Sequence, residues 1–78
     1  MPKRKTEVIA SFGDRLASLR KAAGYTQVEL AAEMGITQRM VAYYEAPNAQ
    51  PPAHLLPQMA QALDVGSDVL LGLSLIHI

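Results

Sequence analysis

The stretch 37–45 reads Thr-Gln-Arg-Met-Val-Ala-Tyr-Tyr-Glu, and its residue types divide by helical spacing. At about 100° per residue, Thr37, Met40, Val41 and Tyr44 share one side, while Gln38, Arg39, Ala42 and Tyr43 share an opposite arc of roughly 140°. The first side is apolar enough to bury. The second offers an amide, a guanidinium, a small gap and a phenol. That mix suits base edges in a DNA major groove, where Gln pairs with adenine and Arg with guanine in bidentate fashion. Any surface helix also turns polar residues outward, so the arc alone leaves both readings open. Catalysis has no comparable support. His54 and His77 have no evident acid, base or nucleophile beside them, and no metal-ligand cluster exists. The chain is therefore read as a non-enzyme with no cofactor and no metal.

Two short helices and a tight turn would position these groups. Thr26 is a good N-cap, and Glu29 three residues on can reach back to its amide, which makes a capping box. Tyr25 and Leu30 are spaced as a hydrophobic staple around that cap. Gly35 ends the helix without a Cβ clash in the left-handed conformation. Thr37 then caps a second helix, with Ile36 and Val41 as its staple. A small residue at Ala31 lets the helices approach, Gly35 makes the turn, and Val41 plugs the space between them. The unit is a helix-turn-helix, with the helix at about 37–46 in the place of the recognition helix.

The remaining elements follow in order. A first helix over 11–23 repeats Phe12, Leu16, Leu19 and Ala23 at helical spacing, carries Arg20 and Lys21 in its last turn, and stops at Gly24. The second, over 27–34, buries Leu30, Ala31 and Met34. The third spans about 38–46. The proline-rich segment 47–52 cannot continue a helix. A fourth helix over 53–63 buries Leu56, Met59, Ala60 and Leu63; Pro57 gives it a loose first turn and a regular part from Leu56. Val65-Gly66 turns the chain, Ser67 caps a short fifth helix to about Leu71, and Gly72 ends it.

Seventy-eight residues make one small domain. Such a chain buries only about 60% of its unfolded surface, so its core is marginal. Cysteine is absent, which excludes disulfides and thiol-ligated metals and fits a reducing cytoplasm. No run reaches the length of a membrane span, and no signal peptide is evident. Net charge is zero, yet every basic residue (Lys3, Arg4, Lys5, Arg15, Arg20, Lys21 and Arg39) lies in the first half. That asymmetry can orient the domain on a polyanion. Residues 1–10 are read as a flexible basic arm, 11–72 as the folded domain, and 73–78 as an uninformative apolar tail. The tail suits a dimerisation segment or, more simply, a frayed end. It also resembles translated adapter sequence, which leaves open that it is non-native.

The chain closely resembles the lambda-repressor-like, Cro/repressor-type domains of the XRE family. The resemblance covers about 11–72 and rests on Leu16 and Leu19, Gly24-Tyr25-Thr26-Gln27, Leu30-Ala31, Gly35-Ile36-Thr37, Val41, Tyr44-Glu45, and then Pro52, Leu56, Ala60 and Leu63. It implies an all-α, compact five-helix fold with the helix-turn-helix at helices 2 and 3. It also implies sequence-specific double-stranded DNA binding by a prokaryotic transcriptional regulator, a repressor, acting as a homodimer on an inverted-repeat operator, with a cytoplasmic, nucleoid-associated location. Gln38, Arg39, Ala42 and Tyr43 match base-reading positions. Thr26 and Gln27 match phosphate contacts, with Arg20 and the arm residues Lys3, Arg4 and Lys5 counted beside them. Arg20 and Glu45 match a structural ion pair tying helix 1 to helix 3.

Two departures stand out. The segment Ala46-Pro47-Asn48-Ala49-Gln50 carries no charge where the family's loop is usually basic or glycine-containing, so phosphate affinity from that edge should lean on backbone amides. Tyr43 is large for a base-reading position; it could pack on a thymine methyl, donate to a phosphate, or lie on the protein surface. The alternative reading is a protein-interaction module with a protein partner, such as the antitoxin of a toxin–antitoxin pair, because fold does not settle function. The neutral charge and neutral loop favour that alternative; Gln38 and Arg39 favour DNA.

Overall fold

A computed structural model describes residues 11–73, which form five α-helices and no strand. The arm 1–10, with Lys3, Arg4 and Lys5, and residues 74–78 of the tail lie outside the described residues. Helix α1 (Phe12–Ala22) starts where the Ser11 hydroxyl accepts from the Asp14 amide at 3.1 Å. It closes where the Tyr25 amide reaches back to the Arg20 carbonyl at 3.1 Å. Helix α2 (Gln27–Met34) has the complete capping box that its sequence predicts. The Glu29 amide donates to Thr26 Oγ1 at 3.1 Å, and the Thr26 amide donates to Glu29 Oε1 at 2.8 Å. Gly35 ends it at φ 73°, a value that favours glycine. The Ile36 amide then reaches the Ala31 carbonyl at 2.9 Å, which fixes the angle at which the chain enters the next helix.

Helix α3 (Gln38–Tyr44) is capped by Thr37, whose hydroxyl accepts from the Met40 amide at 3.1 Å. It is two residues shorter than the 38–46 expected. Pro47 disfavours the helical conformation at Ala46, and Glu45 serves as the C-cap. A 3-10 turn (Ala53–Leu55) leads into α4 (Leu56–Leu63), the loose start and regular remainder that Pro57 implies. Asp64 ends α4 in the left-handed conformation, φ 58°. Helix α5 (Ser67–Leu70) is capped by Gly66 and not by Ser67, which is its first helical residue and makes no side-chain cap.

Helix α2 packs on α3 and α4, while α1 bridges α3 and α5. Leu16, Leu30, Val41, Met59 and Leu70 lie fully inside. The buried face of α1 departs from the expected stripe. Phe12 and Leu16 are buried, Leu19 only partly and Ala23 not at all; Gly13 and Arg20 take their places. At the start of α4, Leu55 is buried and Leu56 only partly. Gly13 marks a close approach between the start of α1 and the end of α3. A Cβ there would collide with the backbone carbonyl oxygens of Glu45 and Ala46, the former 2.6 Å away. Only a glycine lets the start of α1 press against the end of α3.

Candidate nucleic-acid interface

The outward side of α3 is built by what its inward side buries. Val41 and Tyr44 are inside and Met40 is partly so, which fixes the rotation of the helix. Gln38, Arg39 and Tyr43 are then exposed, with Ala42 partly covered between them. Thr37, assigned to the apolar side by spacing, is exposed, because its hydroxyl is engaged at the helix end. Tyr43 is 64% exposed and meets the buried Tyr44 edge to face, ring centroids 5.3 Å apart. That contact limits the phenol's freedom while leaving most of the residue exposed.

A hydrogen-bonded chain runs from the interior to this surface. Arg20 Nε donates to Glu45 Oε2 at 2.6 Å, and Arg20 Nη2 donates to Glu45 Oε1 at 3.3 Å. Arg20 Nη1 donates to the Tyr25 carbonyl at 2.8 Å. The two side chains are 10% and 6% exposed, so this is a buried pair with most of its bonding capacity satisfied. Of the two roles expected for Arg20, this geometry serves the ion pair; the guanidinium is enclosed and not open to a phosphate. Gln27 Nε2 donates to Glu45 Oε1 at 2.9 Å, and Gln38 Nε2 donates to Gln27 Oε1 at 2.7 Å. The two bonds of Gln27 were not visible in the sequence. They join residues eighteen and eleven positions apart, and polar pairing at such separations leaves no periodic signal.

Arg39 makes no hydrogen bond or ion pair among the described residues, and it stands beside the anchored Gln38 on the open face. The first turn of α2 borders the same face through the Gln27–Gln38 bond. Thr26 is exposed there; its hydroxyl accepts from Glu29 and keeps its own proton for a further acceptor. The backbone amides of Gln27 and Val28 have no helical partner by position, and the helix dipole adds positive potential at that end. A groove of about 400 Å³ between α2 and α4 includes no residue of α3. Among the described residues, no three His, Asp or Glu side chains group as a metal site, and no helix is long and apolar enough to cross a membrane.

Comparison with known proteins accords with this fold. A family model described as helix-turn-helix matches residues 16–70. Over 60 residues the chain is 37% identical to the SPbeta prophage-derived uncharacterized HTH-type transcriptional regulator YonR of Bacillus subtilis (strain 168), covering 77% of this chain and 56% of that protein. Over 63 residues it is 40% identical to the uncharacterized HTH-type transcriptional regulator YobD of the same organism, covering 81% of this chain and 56% of that one. The chain thus spans about half the length of the curated relatives it matches. The crystal structure of the restriction-modification controller protein C.AhdI from Aeromonas hydrophila superposes with a TM-score of 0.69 at 32% identity, covering 76% of this chain and 86% of that one.

Proposed function

This chain belongs to the XRE-type helix-turn-helix family, and on that premise we propose that it is a sequence-specific double-stranded DNA-binding regulator of transcription. The observation that carries the reading is the open face of α3. There Gln38 is held by Gln27, Arg39 is unengaged among the described residues, and Tyr43 projects beside them. Helix α3 lies in the major groove. Gln38 pairs with an adenine, Arg39 with a guanine, and Ala42 and Tyr43 line the groove between them. Thr26 and the first amides of α2 hold a phosphate, which sets the depth and register of α3. Lys3, Arg4 and Lys5 add charge along the backbone.

One such domain makes few contacts, so tight binding requires two copies on an inverted repeat, with half-sites about one helical turn apart. Occupancy of such an operator blocks transcription, which makes repression the simplest outcome and requires no catalysis. The protein acts where the DNA is, in the cytoplasm at the nucleoid. Arg39→Ala tests the reading. Against the preferred duplex it should cost about 1–3 kcal/mol and relax preference at one base pair, as measured by titrating labelled duplexes that vary at that pair. Equal binding of all duplexes by both proteins would remove Arg39 from the reading face.

A further inference from the structure

We propose that the Glu45–Gln27 hydrogen bond sets the base preference of Gln38, which makes Glu45 a positioning residue for DNA recognition; the inference rests on the DNA-binding reading above. A glutamine amide has a donor end and an acceptor end, and a free one can turn over to present either. Here the turn is blocked from the interior outward. Glu45, as a carboxylate clasped by Arg20, can only accept, so Gln27 must offer it the NH2 group. The carbonyl of Gln27 is thereby forced to the other side. A carbonyl also can only accept, so Gln38 must in turn direct its own NH2 at Gln27. Among the described residues, one N–H and the carbonyl of Gln38 stay unengaged, with their relative placement fixed. An adjacent donor and acceptor of fixed order match the N7 and N6 groups that adenine shows in the major groove. With the order free, the same amide could accept from cytosine or donate to guanine. The direction of both amides follows from the acceptor-only carboxylate at the start of the chain. It does not depend on telling oxygen from nitrogen in either amide.

The test compares selection of bound duplexes from a random pool by the wild-type chain, Glu45→Gln and Gln27→Met, each shown to be folded at the assay temperature by circular dichroism. Glu45→Gln keeps the shape but can offer Gln27 either an oxygen or an NH2. Gln27→Met removes the link and leaves Arg20–Glu45 intact. Both variants should lower the preference for adenine at the Gln38 base pair by about tenfold while leaving the preference at the Arg39 base pair unchanged. A merely structural Glu45 would lower binding to all sequences evenly, and a base profile unchanged in both variants would overturn the proposal. A profile flattened by Gln27→Met but not by folded Glu45→Gln would overturn the part given to Glu45. If Glu45→Gln does not fold at any workable temperature, Glu45→Asp, which keeps the charge but draws the carboxylate back from Gln27, takes its place with the same expected and overturning results. A wild-type chain that selects no motif would overturn the DNA-binding reading, and this proposal with it.

Discussion

Arg20 holds three parts of the molecule with one guanidinium: it sits in α1, bonds the carbonyl of Tyr25 between α1 and α2, and clasps Glu45 at the end of α3. A buried pair of this kind adds little net stability over apolar packing, yet losing one partner strands the other charge. Glu45→Ala should therefore cost about 3–5 kcal/mol, a large share of the 5–15 kcal/mol typical of a domain. Urea titration of the two proteins measures it, and an unmoved midpoint would mean that the pair holds nothing together. The sequence exposed this pair only through family resemblance. The exposed set Gln38, Arg39 and Tyr43 was legible from spacing alone, because burial of Val41 and Tyr44 fixes the helix rotation. The Gln27 bonds were not, since they depend on where α2 and α3 finally meet.

The elements were the most legible level, and the reason is local chemistry. Thr26, Thr37 and Gly35 mark their helix ends by side-chain and backbone preferences that act within four residues. Where an end is set by something else, less was legible: α3 stops at Tyr44 and not Ala46, and α4 stops at Leu63 as read but by a residue that was not foreseen. Asp64 ends α4 at φ 58°, a conformation that costs a Cβ-bearing residue and that no glycine advertised. Asp64→Gly should relieve this and stabilise the domain by up to about 1 kcal/mol, raising its melting temperature by a few degrees; a lower melting temperature would show that the Asp64 side chain holds the turn. Gly13 carries the opposite lesson. In an ordinary helix Gly→Ala gains about 1 kcal/mol. Here a methyl group would meet the carbonyls of Glu45 and Ala46, so Gly13→Ala should destabilise by about 1–3 kcal/mol. Thermal unfolding decides the sign, and a stabilised variant would mean that α1 and α3 are free to separate. A glycine inside an apolar helical pattern was the available signal, but only the fold shows what it touches.

At the scale of the whole molecule, a net charge of zero gives little general attraction to DNA. Arg20 is enclosed and Arg15 bonds the Leu70 carbonyl, so among the described residues Lys21 and Arg39 are the basic side chains left on the surface without a partner. The segment 46–50 adds no charge. Binding must then draw on base contacts and paired subunits more than on phosphate neutralisation. Selection of bound sequences from a random duplex pool, at low salt and again near physiological salt, tests this most directly. The account predicts a palindromic motif with half-sites about one helical turn apart, still enriched at the higher salt. Enrichment without a motif that collapses as salt rises, or no enrichment at either salt, would contradict it.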